Sequence, residues 1–178
     1  TLLSLAVSER LGFPMFSGEL SRARKKITDA FPAQDRKRIA ALRERVFIGR
    51  AASAAVRASY VEPNAATTRP LQVAFVRETI VSAVYVKDGG EESRRRIEPH
   101  ALLINWPAWY LLGFDHLRGE PRMFRLDRFQ KIEQGEQSPF RARARELFGS
   151  MLTAERGAAA AKAADDSRRG SFGSVSTL

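Results

Sequence analysis

A chain of 178 residues is long enough for one ordinary domain with satellite helices, or for two small domains, and not for many. With 44% hydrophobic and 28% charged residues it reads as globular, and zero Cys with only two His excludes disulfides, thiolate chemistry and a His-rich metal site. The formal net charge of +10 arises mostly in residues 1–60, where twelve basic face five acidic side chains, and such a surplus favours polyanionic partners.

No apolar run approaches the roughly 18 residues of a membrane helix, so no membrane partner is expected, and the lack of Cys fits a reducing cytoplasm. The chain starts at Thr1 in mid-pattern, which suggests that a segment precedes it. Ser17 can cap a helix running to about Phe31, with Leu20, Ala23 and Ile27 at helical spacing, Arg22, Arg24, Lys25 and Lys26 on its outer face and Pro32 as its stop. A second basic helix is expected from Asp35 to about Arg45, with Ile39, Leu42 and Val46 on one side. Val61 to Pro70 reads as a loop, and Pro70 suits the first position of a short helix through Leu71, Ala74, Phe75 and Glu78.

From Ile80 the period changes to two. Ile80, Ser82, Val84 and Val86 alternate with Val81, Ala83 and Tyr85, and Lys87-Asp88-Gly89-Gly90 supplies a hairpin turn. Further strands are expected at Ser93 to Ile97, Ala101 to Asn105, Trp109 to Asp115 and Met123 to Leu126. Five short strands so closely spaced suggest a small barrel. Ser138-Pro139 opens a last helix with Phe140, Ala144, Leu147, Phe148 and Met151 as its apolar stripe, and the Ala, Asp, Ser and Gly composition after Gly157 reads as a disordered tail. The expected division is a basic helical linker over 1–60, a strand-bearing domain over 61–135, a helix over 136–156 and the tail over 157–178.

The strand block is dense in arginine: Arg94, Arg95, Arg96, Arg118, Arg122, Arg125 and Arg128 accompany Tyr85, His100, Tyr110 and His116. A guanidinium grips phosphate through paired hydrogen bonds and stacks on bases, while Tyr and His add stacking and single hydrogen bonds. Alternation puts Arg94 and Arg96 on one face and Arg95 on the other, so only some of these groups can share a pocket. The competing reading makes each Arg a solvated strand residue or a partner of Glu91, Glu92, Glu98, Asp115, Glu120 or Asp127. Paired catalytic carboxylates, a phosphate-gripping Gly-rich loop and a His/Asp metal cluster are not visible, so no enzyme and no cofactor is expected.

Three segments carry a family resemblance. Arg95-Arg96-Ile97-Glu98-Pro99-His100-Ala101-Leu102, then Trp109-Tyr110-Leu111, then Arg122-Met123-Phe124-Arg125-Leu126-Asp127-Arg128-Phe129 resemble the successive signatures of WYL domains, over about Leu71 to Glu133. The resemblance implies an α+β fold with a five-stranded SH3/Sm-like barrel, behind linker helices that usually follow a winged helix-turn-helix. No helix-turn-helix is visible in this chain. It also implies the ligand-sensing part of a transcriptional regulator, with single-stranded DNA or another nucleic acid or nucleotide as ligand. Operator DNA would be bound through the helix-turn-helix domain that this chain lacks; a homodimer and a role in DNA-damage or phage-defence responses complete the expectation. Tyr85, Arg95, His100, Arg122 and Arg128 are the implied ligand-facing residues, with Arg94, Tyr110, His116 and Arg125 as further candidates, Trp109 and Leu111 structural, and Asp127 an Arg partner or turn former. Lys87 stands where many relatives carry a small hydroxyl residue. An accessory subunit whose barrel binds RNA or protein without regulating transcription fits the same arginine set.

Overall fold

The structure, a computed structural model, describes residues 17–133, 138–155 and 157. The two basic helices form as α1 (Ser17–Asp29) and α2 (Ala33–Glu44), separated at Pro32. Val46 does not extend the second helix. Val46, Phe47 and Ile48 instead make β1 (Val46–Ile48), because three consecutive apolar residues, two of them deeply buried, cannot share one helical face but fit beside a strand. A short helix α3 (Ala54–Ser59) follows, capped by the Ser53 hydroxyl, which accepts from Val56 N at 3.3 Å.

Helix α4 (Ala65–Arg77) starts a turn earlier than the position of Pro70 suggests. Asn64 is the reason. Its side-chain oxygen accepts from Ala66 N at 2.8 Å, and its carbonyl accepts the Thr67 hydroxyl at 2.8 Å, so the capped first turn outweighs the amide hydrogen that Pro70 lacks. The helix ends at Glu78, held in the left-handed region at φ 53°.

The sheet comprises β1 and five longer strands: β2 (Val81–Val86), β3 (Glu92–Asn105), β4 (Ala108–Asp115), β5 (Glu120–Arg125) and β6 (Phe129–Glu133). Their order is β5-β4-β3-β2-β6, antiparallel throughout, with β1 parallel to the far half of β3. The described ladders leave this a six-stranded open sheet, where the sequence suggested a closed five-stranded barrel. Gly89 and Gly90 adopt positive φ in the expected β2–β3 turn.

The segments expected as two strands, Ser93 to Ile97 and Ala101 to Asn105, are one strand that changes neighbours. Its first half pairs with β2 up to Val81↔Ile97, and β1 begins opposite Leu102. Between them one edge of β3 has no strand beside it, so Pro99 fits there without costing that edge a hydrogen bond, and a bulge at His100 resets the ladder with β4. Arg45 covers the gap: its Nε donates to His100 O at 2.8 Å and its Nη2 to Pro99 O at 2.6 Å, while Leu102 N donates to Arg45 O at 2.8 Å. Burial lowers the Arg45 pKa to about 10, with Glu78 opposing the shift, and the guanidinium lies 4.0 Å from the Phe75 ring centre. On the same stretch a Cβ at residue 113 would fall 2.4 Å from Ile97 Cγ2, so Gly113 lets β3 and β4 close up.

Two apolar layers sandwich the β3–β4 half of the sheet. Leu71 and Phe75 of α4 pack on Tyr85, Ile97, Leu111, Phe124 and Phe129 on one face. The other face buries Phe47, Leu103, Tyr110 and Leu112 beneath Phe148 and Leu152 of α5, a helix over residues 144–155. The six residues before α5 are not helical, because they are tied as a strap along 78–80: Ile80 N donates to Ser138 O and Phe140 N to Glu78 O, both at 2.9 Å. The disordered-tail expectation lies outside the described residues, apart from position 157.

Candidate ligand-binding site

Alternation separates the expected site residues as foreseen: Arg95 is buried while Arg94 and Arg96 are exposed, and Tyr110 faces the layer opposite to Trp109 and Leu111. The structure gathers the candidates into two groups and leaves two apart.

Tyr85, Arg125 and Arg128 meet at one end. The Tyr85 ring is buried edge-on between Phe124 and Phe129, with centroid separations of 5.2 and 5.1 Å, and its hydroxyl accepts from Arg125 N at 3.1 Å. Burial raises its pKa. Arg125 is also buried: Nε and Nη2 grip both oxygens of Asp127 at 3.0 and 2.6 Å, and the remaining donors reach Ser59 Oγ and Ser59 O at 3.0 and 2.9 Å. Hydrogen bonding to Asp127 raises the pKa of Arg125, so its charge is fixed. Arg128 pairs with the exposed carboxylate of Asp88, whose pKa the same hydrogen bond lowers. Tyr110 is buried nearby in the layer beneath α5.

The second group lies on β3 and β4. Arg95 Nη1 sits 2.9 Å from Asp115 Oδ2 inside the protein and its Nε donates to Ser93 Oγ at 3.0 Å. One Glu98 oxygen lies 3.1 Å from Nε2 of His100 and the other 3.1 Å from Nε2 of His116. His100 is fully buried; its Nδ1 accepts from Arg143 N at 3.1 Å, which leaves Nε2 to donate to Glu98. Phe140 packs edge-on against the ring at 4.9 Å, and burial pushes the imidazole pKa below its ordinary value. Tyr85, Arg95 and His100, ligand-facing by resemblance, are thus placed inside, where the Arg125 amide, the Asp115 and Ser93 side chains, and Glu98 with the Arg143 amide respectively satisfy their polar atoms.

Arg94 and Arg122 are the two set apart. Arg122 makes an exposed pair with Glu120 at 3.2 Å, and Arg94 approaches Glu133 only to 3.9 Å. Together with Arg96, Arg118 and the half-buried Arg128 they form the arginines of the strand block that reach solvent, and no side-chain hydrogen bond or ion pair engages Arg96 or Arg118 among the described residues.

The sequence reading missed a groove between α4 and the β3–β4 turn. Its volume is about 680 Å³, and its walls include Tyr60, Phe75, Trp106 and Trp109, with Gln72 and Glu62 as polar members. Trp106 is 61% exposed. Arg125 supports the Tyr60 wall without lining the groove: its bonds to Ser59 hold the end of α3, its guanidinium lies 5.5 Å from the Tyr60 ring centre, and the Tyr60 hydroxyl accepts from Trp109 N at 3.3 Å. The pairing of both tryptophans across the Trp106-Pro107-Ala108-Trp109 turn was the available signal. Among the described residues no cluster of His, Asp and Glu could hold a metal, and no helix is long and apolar enough to cross a membrane.

Among solved structures, the chain is similar to the proteasome accessory factor B/C (PafBC) of Arthrobacter aurescens, with 30% identity and a TM-score of 0.40 over 48% of this chain and 15% of that one. The chain therefore matches only a small part of the length of that protein. The family model of the WYL domain matches residues 66–134, from the first turn of α4 to just beyond β6. That span takes in the Trp109-Tyr110-Leu111 triplet, Arg125 with its Asp127 clasp and the buried Arg95–Asp115 pair, and over these residues the chain matches the WYL domain family.

Proposed function

We propose that this chain is the ligand-sensing part of a WYL-type transcriptional regulator, binding single-stranded DNA or another nucleic acid or nucleotide, and that it acts by binding rather than by catalysis. The observation that carries the reading is the set of outward arginines, Arg94 and Arg96 on β3, Arg122 on β5 and Arg118 in the turn between β4 and β5, with the half-buried Arg128 after β5, on a sheet whose inner arginines are locked into ion pairs. Such an arrangement gives a rigid cationic surface whose guanidiniums have little to lose on meeting phosphate, since exposed ion pairs are worth about 0–1 kcal/mol. A regulatory effect requires that ligand favour one arrangement of the domain over another, because equal affinity for both shifts nothing. Operator DNA through a partnered helix-turn-helix domain, a homodimer, and a role in DNA-damage or phage-defence responses belong to the same proposal.

Fluorescence anisotropy with labelled single- and double-stranded DNA and RNA oligonucleotides tests it. A saturable preference for single strands is the expected result. Binding that is weak, indifferent to strandedness and lost in modest salt would leave only nonspecific charge and defeat the reading.

A further inference from the structure

We infer that the groove between α4 and the β3–β4 turn is a stacking site for one nucleobase of a single-stranded nucleic acid, with the adjoining phosphates held by Arg69 and Arg77. The inference rests on the nucleic-acid reading above and adds a site to it, away from the arginines of the strand block.

The walls fit a flat ring. Tyr60, Trp106, Trp109 and Phe75 contribute four aromatic faces and edges, and Trp106 leaves most of its surface in water when the groove is empty. Aromatic side chains of this kind stack bases irrespective of sequence. The volume of about 680 Å³ suits a ligand the size of a nucleoside. The side chains of Gln72 and Glu62 line the groove with no intramolecular hydrogen bond or ion pair among the described residues, so an amide and a carboxylate are available to the donor and acceptor edge of a base or to a sugar hydroxyl.

Charge selects the class of ligand. Gln72 also lines a second groove, between α4 and α2, together with Arg38, Arg69 and Arg77. Arg69 and Arg77 have no acidic partner there among the described residues, and Arg38 reaches only the Val76 carbonyl, at 3.4 Å. Arg69 and Gln72 are three residues apart on one helix and so are surface neighbours. An aromatic slot that opens beside unpaired guanidiniums is complementary to a base carrying a phosphate. A proline-rich peptide would stack on the same rings but would leave the cations unanswered.

Trp106 and Trp109 are the only tryptophans of the chain and both line the groove, so tryptophan emission reports on this site. The experiment titrates the protein with a short oligothymidylate, with inorganic polyphosphate of similar charge and with a proline-rich peptide, and follows oligonucleotide anisotropy in parallel. Saturable quenching by the oligonucleotide alone is expected, with Kd raised about tenfold in Trp106→Leu, equivalent to about 1.4 kcal/mol and within the range for one stacked base. Arg69→Ala, at an exposed helix position, should weaken oligonucleotide binding without changing the emission at saturation. If anisotropy shows binding but emission does not respond and Trp106→Leu binds normally, the groove assignment fails while the nucleic-acid reading stands. If no oligonucleotide binds by either readout, both fail. Quenching by polyphosphate or by the peptide to the same extent overturns the nucleobase assignment.

Discussion

Arg95 and Asp115 face each other across β3 and β4 with 2.9 Å between Nη1 and Oδ2, and both side chains are almost completely withdrawn from water. Opposite charges at that depth offset each other's lost hydration only as a pair. Arg95→Ala is therefore expected to destabilise the fold by about 3–5 kcal/mol, the usual cost of orphaning a buried charge. Asp115→Leu combined with Arg95→Met should recover much of that loss. Chemical denaturation of the wild type and the two variants measures this, and a near-native Arg95→Ala would show that the pair holds nothing together.

Arg122 and Arg128 should behave in the opposite way. Arg122 pairs only with an exposed glutamate, so its truncation should not move the unfolding free energy by more than about 0.5 kcal/mol, whereas Arg128, whose side chain is 19% exposed beside Tyr85, should cost somewhat more. Each should weaken nucleic-acid binding by about 1.5–3 kcal/mol, the loss of a charged hydrogen bond. Denaturation and anisotropy on the same preparations separate the two effects.

Arg45 supplies the hydrogen bonds that no strand supplies at the bare edge of β3. Arg45→Leu leaves the Pro99 and His100 carbonyls without their donors, and each such orphan costs about 1–3 kcal/mol. Arg45→Lys keeps the charge but cannot span both carbonyls, so it should fall between the leucine variant and the wild type. Urea midpoints order the three, and a lysine variant as stable as wild type would contradict the two-carbonyl role.

Burial holds the His100 pKa below its ordinary 6.5 against the opposing pull of Glu98, with Arg143 and Arg45 adding to the depression and His116 sharing the Glu98 carboxylate. Below pH 6.5 the unfolded chain takes up a proton that the folded chain resists. Stability is therefore complete above that value and declines as pH falls through it toward the folded-state pKa. Melting temperature should drop between pH 7 and pH 5, and His100→Asn should flatten the slope in that window. An unchanged slope in the variant would assign the acid sensitivity elsewhere.

Much of the architecture was legible because periodicity reports burial. The alternation through Tyr85, the turn at Gly89-Gly90, the split of Arg94 from Arg95 and the opposition of Trp109 to Tyr110 all follow from a period of two. What was not legible depends on long-range partners. Three residues, Val46 to Ile48, form a strand only because β3 lies beside them, Pro99 sits within a strand only because that edge is bare, and 138–143 becomes a strap only because Glu78 and Ile80 offer it hydrogen bonds. The arginine signal had the same limit. Residue type shows that guanidiniums abound, but the carboxylates Asp115 and Asp127 decide which of them turn inward, and these pairings close across 20 residues in one case and two in the other.

The most direct test of the proposed function is the salt dependence of single-stranded oligonucleotide binding, compared between the wild type and an Arg94→Ala, Arg122→Ala double variant. Each phosphate contact contributes about 0.7 to the slope of log affinity against log salt for single strands. If these exposed arginines hold phosphate, the double variant binds more weakly and its slope is shallower by roughly 1.4. Identical slopes and affinities in the two proteins would contradict the proposal that the outward arginines of the WYL domain are its nucleic-acid contacts.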